Sequence, residues 1–117
     1  MTNPRLNILL LGPPLVTLDG KPVKIKRRLP RGLLYYLAAQ IQPSTRVELC
    51  DLFWPDRTEA ESRKNLREAL SHLKKELGIE DAILTSNDQV ALNRDVVYSD
   101  MVEFREIITP FLNDPTN

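Results

Sequence analysis

The stretch that most constrains this chain is TEAESRKNLREALSHLKKELG, from Thr58 to Gly78, because it carries both a start signal and a stop signal for a helix. Thr58 is a favourable N-cap residue, and Glu61 three residues later completes the pattern of a capping box. Gly78 follows the last apolar residue, where a left-handed residue often ends a helix. The sequence therefore predicts one long helix, of about 19 residues and roughly 28 Å.

The two faces of this predicted helix differ in chemistry. Leucines recur at helical spacing, at positions 66, 70, 73 and 77, which indicates a stripe that packs on a core. Positions 62–75 hold five basic residues and one acidic residue. Two interpretations remain open from this stretch alone: an ordinary amphipathic surface helix, or a stiff basic helix suited to the major groove of DNA.

Composition limits the class of protein. The 117 residues fit one domain with a modest core. A single cysteine, Cys50, excludes an internal disulfide. No apolar run approaches the length of a membrane span, and the apolar run Ile8–Leu11 is too short for a signal peptide. We therefore expect a cytoplasmic protein with no membrane partner.

The formal net charge is zero, but the charges are unevenly distributed. Residues 20–47 hold seven basic residues and no acidic ones, whereas residues 76–117 hold nine acidic residues and two basic ones. A neutral chain of this kind can still present a basic face to a polyanion. Charge balance between two packed halves is the alternative interpretation.

The N-terminal part predicts a small antiparallel sheet. Strands are expected at Leu6–Leu11, at Leu15–Leu18 and at Val23–Lys26, where apolar and basic residues alternate. Asp19 and Gly20 between the second and third strands indicate a two-residue type I′ turn.

Two helices are predicted before the long one. The first runs over residues 27–40, with Pro30 in its first turn, where a missing N–H costs little. The second is short and begins at Thr45, which forms a capping box with Glu48. We expect Leu49, Leu52 and Phe53 of this short helix to face inward, and Trp54 after it to anchor the core or the loop. An exposed Trp54 that contacts a partner is the alternative.

The order of a short capped helix, a turn and a longer basic helix is typical of a helix-turn-helix. After Gly78, segments 83–85 and 90–92 are predicted as a β-hairpin in the position of a wing. A last helix is expected to be capped by Ser99 or Asp100, to be limited in length by Pro110, and to be followed by a disordered tail over residues 113–117.

These elements predict an α+β fold, a winged helix-turn-helix with an N-terminal antiparallel β-sheet, a three-helix core and a C-terminal β-hairpin wing. The predicted DNA-binding domain covers residues 1–98, and residues 99–117 form the last helix and tail.

No catalytic residue, metal site or cofactor is predicted. The one histidine and the one cysteine lie in different elements and cannot form a zinc ligand set. Cys50 is interpreted as a buried helix residue rather than a nucleophile. Neither a P-loop nor a GxGxxG motif is present in the sequence. We therefore expect a protein that is not an enzyme.

Five motifs, taken in order, resemble the OmpR/PhoB-type winged-helix domain of the Streptomyces antibiotic regulatory protein (SARP) family and related bacterial activators. They are LLGPPLVTLDGKPV, RGLLYYLA, ELCDLFWPD, SRKNLREALSHLKKELG, and ILTSNDQVALN followed by SDMVEF. The resemblance covers about residues 6–106. It implies binding to double-stranded promoter DNA, often at direct repeats, as tandem protomers or a homodimer, and recruitment of RNA polymerase. It also implies that residues 99–117 begin a helical activator domain, so that the chain would be a fragment of a larger regulator.

The sequence departs from that family in the predicted wing. The tip, Asn87-Asp88-Gln89, has no basic residue, where many relatives carry Arg and Gly. Arg94 is the nearest basic candidate for a contact from the wing.

Candidate contacts follow if the long helix lies in the major groove. Base readout is expected from Lys64, Arg67 and Ser71, with Asn65, Glu68 and His72 as further candidates. Phosphate contacts are expected from basic residues of the helix and its surroundings, namely Arg63, Lys74, Lys75, Lys26, Arg27, Arg28, Arg31 and Arg94. A solubilising charge run is the alternative interpretation for residues 26–28. The alternative function is a winged-helix interaction module, which would bind a protein through the basic helix or through the Met101–Phe111 face.

Overall fold

A computed structural model describes residues 4–113. Over these residues the chain is a mixed α+β structure with four α-helices and two β-sheets. A single 3-10 turn, Glu80–Ala82, precedes the hairpin. In chain order the elements are β1 (Leu6–Leu9), β2 (Leu15–Leu18), β3 (Lys21–Pro22), α1 (Arg28–Ala38), β4 (Ser44–Thr45), α2 (Arg46–Phe53), α3 (Glu59–Leu77), β5 (Ile83–Thr85), β6 (Gln89–Leu92), β7 (Val97–Ser99) and α4 (Asp100–Asn113).

The first sheet has the strand order β3-β2-β1-β7. Strands β1 and β2 are antiparallel, and β1 pairs in parallel with β7. The predicted type I′ turn is confirmed, because Asp19 and Gly20 have φ values of 51° and 83°. The sequence did not reveal β7, because this strand forms by pairing with β1, which is distant in sequence.

The third strand was predicted at Val23–Lys26 and is instead Lys21–Pro22. The predicted alternation of exposure is present, with Ile25 buried and Lys24 and Lys26 exposed. The chain leaves the sheet, however, and the backbone N–H of Lys26 donates to the Glu76 carboxylate on α3 at 2.8 Å. The Glu76 side chain therefore accepts the hydrogen bond that the Lys26 N–H would donate to a neighbouring strand if β3 continued.

Strand β1 ends at Leu9, before the predicted end at Leu11. The backbone N–H groups of Leu10 and Leu11 donate to the two carboxylate oxygens of Asp100, at 2.7 and 3.2 Å. Ser99 caps α4 as predicted, since its Oγ accepts from the N–H of Val102 at 3.3 Å. The beginning of α4 is thereby fastened to the end of β1.

Helices α1, α2 and α3 pack around the main core. The predicted leucine stripe of α3 is confirmed, because all four leucines are buried. Leu33, Leu34 and Leu37 of α1 are also buried and belong to the same core. In α2, Leu49 and Cys50 are buried and Phe53 is half-buried, but Leu52 is exposed. The predicted inward position of Leu52 is wrong because an eight-residue helix turns only one narrow face to the core.

Both predicted N-caps are present. Thr45 Oγ1 accepts from the N–H of Glu48 at 3.0 Å, and Thr58 Oγ1 accepts from the N–H of Glu61 at 3.2 Å. The Glu48 carboxylate does not complete a capping box but accepts from the Tyr36 hydroxyl at 3.2 Å. Trp54 is half-buried and packs against the core, as expected of a loop anchor.

Helix α3 ends as predicted at Gly78, which has a φ of 79°. The hairpin that follows is also confirmed, with Ile83 opposite Leu92. A strand that the sequence did not reveal, β4, joins it to form a second sheet in the order β4-β6-β5. Because β4 leads directly into α2, this sheet fixes the hairpin beside the beginning of α2.

Helix α4 continues through Pro110 to Asn113, so the prediction that Pro110 limits its length is wrong. Proline in the last turn removes one backbone bond, to the carbonyl of Glu106, which a helix end can tolerate. The remainder of the predicted tail, residues 114–117, lies outside the described residues. The predicted division at residue 98 falls within β7 and stays a prediction. Between residues 4 and 113 no helix has the length and apolar character that crossing a membrane requires.

Candidate nucleic-acid interface

The outer face of α3 carries the predicted base-reading residues. Lys64, Arg67, Glu68 and Ser71 are exposed, and Asn65 is half-buried. The helix is held rigid by its cap at Thr58, by its left-handed end and by its buried leucines. These side chains therefore project from a fixed scaffold, which is the arrangement that direct base readout requires.

Arg63 lies on α3 but is turned toward the first turn of the helix. Its Nε is 3.3 Å from Oε1 of Glu59, one turn earlier. Both side chains are exposed, so the pair contributes little to stability. A phosphate could compete with Glu59 for this guanidinium, and Arg63 keeps its place as a candidate phosphate contact.

His72 has a partner that its sequence position did not reveal. Its Nε2 lies 2.9 Å from Nη1 of Arg27, the N-cap residue of α1. Arginine has donors only, so the imidazole nitrogen is the acceptor and carries no proton. The side chain of His72 is half-buried and holds Arg27 in place. His72 therefore has a partner in a second segment, and its expected base contact stays a prediction.

A second bond joins the same two segments. The Glu76 carboxylate on α3 accepts from the backbone N–H of Lys26, which leaves the lysine side chain exposed. Arg28 is exposed as well, whereas Arg31 is half-buried and its Nη1 lies 3.4 Å from the carbonyl oxygen of Ile25. Residues 26–28, which we call the junction surface, are therefore held beside the α3 face although the two segments are far apart in sequence.

The last turn of α3 carries Lys74, which is half-buried, and Lys75, which is exposed. Both lie at the end of the helix where cations are favoured by the macrodipole. Lys75 is exposed enough to contact a phosphate, whereas the half-buried Lys74 presents less of its side chain to solvent.

Arg94 is placed differently from the other candidates. Its Nη1 forms an ion pair with Oε2 of Glu106 on α4 at 3.0 Å, and its Nη2 donates to the carbonyl of Ile41 at 2.9 Å. Both terminal nitrogens thus bridge α4 and the loop after α1. Arg94 is about as exposed as Arg63, but two partners in different elements hold it, so we propose a structural role for it and leave it out of the candidate interface.

The structure adds one arginine that sequence reasoning did not select. The Arg46 guanidinium donates through Nε to the carbonyl of Ser86, in the turn of the β5–β6 hairpin, at 3.0 Å. A main-chain acceptor leaves no sequence pattern, so no signal in the sequence could have paired these residues.

Cys50 is buried, and this burial raises the pKa of its thiol, which disfavours the reactive thiolate. Within residues 4–113 no cluster of three His, Cys, Asp or Glu residues could hold a metal ion.

Comparisons with known proteins identify a shared fold. The chain is similar to a solved structure of EmbR from Mycobacterium tuberculosis, determined in complex with a low-affinity phosphopeptide. The TM-score is 0.63 at 23% sequence identity, and the match covers 81% of this chain and 27% of that chain. The chain thus spans about a quarter of the EmbR chain that it matches. No protein-family model matches the sequence, and no curated protein matches it.

Proposed function

We propose that this chain is the sequence-specific DNA-binding domain of a bacterial transcription activator, with the topology of an OmpR/PhoB-type winged helix-turn-helix. In this proposal α2 and α3 are the helix-turn-helix, and the β5–β6 hairpin is the wing. Helix α3 lies in the major groove. Lys64, Arg67 and Ser71 read bases, with Asn65 and Glu68 as further contacts.

One observation carries the proposal more than any other: the exposed face of α3 is joined to residues 26–28 by two bonds from α3, at His72 and at Glu76. A base-reading helix needs flanking cations at fixed positions, because phosphate contacts set the register of the helix in the groove. The junction surface supplies these cations beside the α3 face. A solubilising charge run would need no such attachment.

The fold comparison adds support. The similarity to the EmbR structure covers 81% of this chain and is compatible with the proposed topology. The same proposal places the protein in the cytoplasm and gives it a binding role without catalysis. It also includes binding at direct repeats, as tandem protomers or a homodimer, and recruitment of RNA polymerase.

The salt dependence of binding tests this function. If about six phosphates are neutralised, the logarithm of the association constant should fall against the logarithm of salt concentration with a slope near roughly −5. Fluorescence anisotropy with a short labelled DNA duplex measures this slope. An association constant that does not change with salt would rule out the proposed interface.

A second candidate function is favoured by a different surface. Four large apolar side chains of α4 are exposed, and Phe111 and Leu112 retain 65% and 71% of their accessible surface. Such a face suits protein contact, so the chain could be a winged-helix interaction module. Retention on heparin at salt concentrations that release an unrelated neutral protein favours DNA binding. Early elution together with light-scattering signs of self-association favours the second function.

A further inference from the structure

The turn of the β5–β6 hairpin lacks a cation of its own. Ser86, Asn87 and Asp88 link β5 to Gln89, the first residue of β6, and these four residues together carry one formal negative charge. The turn is tight: the N–H of Ser86 donates to the carbonyl of Gln89 at 2.9 Å, and the N–H of Gln89 donates to Ser86 Oγ at 3.1 Å. On these residues alone, a wing of this kind would repel a phosphate backbone.

Arg46 is attached to this turn at two points. Its backbone N–H donates to the carbonyl of Asp88 at 2.8 Å, and its Nε donates to the carbonyl of Ser86 at 3.0 Å. The neighbouring strand β4 adds a third connection, because Thr45 pairs with Gln89. The first residue of α2 is therefore part of the hairpin turn in space, although it lies 40 residues earlier in sequence.

Arg46 is half-buried, and the bond through Nε engages one edge of its guanidinium. Among the described residues, the hydrogen bonds of the Arg46 side chain use Nε only, so Nη1 and Nη2 still have donors to offer. A guanidinium that is fixed on one edge presents the other edge in a defined direction, and that geometry matches the two oxygens of a phosphate.

The nearby carboxylates do not remove this charge. The Glu48 carboxylate is occupied by the Tyr36 hydroxyl on α1, at 3.2 Å. Asp88 meets Arg46 through its carbonyl rather than through its carboxylate, and neither carboxylate lies within ion-pair distance of Arg46 among the described residues. When Arg46 is counted with the turn, the formal charge changes from −1 to zero. The positive charge lies on the Arg46 guanidinium, whose Nη1 and Nη2 can still donate.

We propose that Arg46 is the cation of the wing: it is a DNA-binding residue that α2 supplies to the hairpin turn, and it contacts a phosphate that flanks the groove occupied by α3. This inference rests on the proposed DNA-binding function. It also replaces Arg94, the basic residue nearest to the wing in sequence, which the structure commits to Glu106 and Ile41.

The test compares Arg46→Gln with Arg94→Gln in the full chain. The probe is a short duplex carrying the best site selected from random DNA, with affinity measured from about 50 to about 200 mM salt. Loss of one phosphate contact should reduce the slope by about 0.9, so the affinity deficit of Arg46→Gln should shrink about 3.5-fold across this range. Arg94→Gln should keep the wild-type slope.

Two further measurements separate contact from structure. Arg46→Lys keeps the charge without the fixed guanidinium, and we expect it to keep the wild-type salt slope at reduced affinity. Ethylation of individual phosphates should identify one position that impairs the wild type but not Arg46→Gln. A deficit of Arg46→Gln that stays the same at every salt concentration would overturn the proposed contact, as would Arg46→Gln binding with wild-type affinity and slope. Failure of the wild-type chain to bind any duplex would instead overturn the proposed function.

Discussion

Nη1 of Arg27 donates a hydrogen bond to Nε2 of His72 across 2.9 Å, and this contact joins the beginning of α1 to the middle of α3. His72 is half-buried, and its Nε2 accepts from the guanidinium of Arg27 at the beginning of α1. The histidine thus supports the junction surface from within, while Arg27 faces outward from it. His72 is a candidate base reader on the helical wheel, but because of this contact we propose that it positions Arg27 instead.

The first prediction concerns that contact. His72→Ala should weaken binding to a selected site and to random DNA by the same factor, about fivefold or less, because one exposed hydrogen bond contributes on the order of 1 kcal/mol. His72→Gln is the matched control, since its amide oxygen can still accept from Arg27. Parallel titrations on both duplexes provide the measurement. A loss confined to the selected site would mean that His72 reads a base.

The second prediction concerns base readout by Arg67, which is exposed on the outer face of α3. Arg67→Ala should relax sequence preference at one or two base pairs, at about 1–3 kcal/mol of discrimination, because an arginine can bind guanine through two donors. Binding to all single-base variants of the selected site measures this loss. Arg63→Ala, which removes an arginine paired with Glu59, should leave the preference unchanged. Equal losses of Arg67→Ala on every duplex would contradict the assignment.

The third prediction concerns the junction surface. Lys26→Ala should weaken binding to all sequences alike and flatten the salt slope by about 0.9, as expected for one phosphate contact. Its backbone N–H can still donate to Glu76, so the attachment to α3 should persist in the variant. Salt titrations of the wild type and the variant, on selected and on random DNA, test this. An unchanged slope would remove Lys26 from the interface.

The fourth prediction concerns the end of α3. Gly78 has a φ of 79°, and a Cβ added there would lie 3.3 Å from Cδ2 of Leu18. Gly78→Ala should therefore lower the free energy of unfolding by about 1–2 kcal/mol, the cost of a left-handed conformation for a residue with a side chain. Urea unfolding measures the change. Gly12→Ala is the control, because its backbone is not left-handed and an added Cβ meets nothing within 4 Å. Equal stability of the two variants would contradict the account of this helix end.

The predictability of these features depends on how local their causes are. The ends of α3 could be predicted because the Thr58 hydroxyl accepts from a backbone N–H one turn away, and Gly78 adopts the left-handed conformation that ends the helix. The hairpin turn at Asp19 and Gly20 is local in the same sense. Such features are encoded by neighbouring residues, and they appear in the structure where the sequence indicated them.

Features that depend on distant partners could not be predicted. Strand β7 exists because it pairs with β1, and β1 ends early because Asp100 takes its next N–H groups. In the candidate interface, the exposed face of α3 followed from helical periodicity. The partners of His72 and Arg46, however, come from elements 45 and 40 residues away, and one of them is a main-chain carbonyl. Proximity in sequence selected Arg94, and only the folded chain shows Arg46 at the hairpin turn.

Selection of bound sites from a library of random DNA tests whether α3 of this chain reads bases. We expect enrichment of one sequence motif over successive rounds, with Arg67→Ala losing the preference at one or two positions of that motif. Bound sequences that remain indistinguishable from the starting library, at salt concentrations where the chain still binds DNA, would contradict the claim that α3 reads bases.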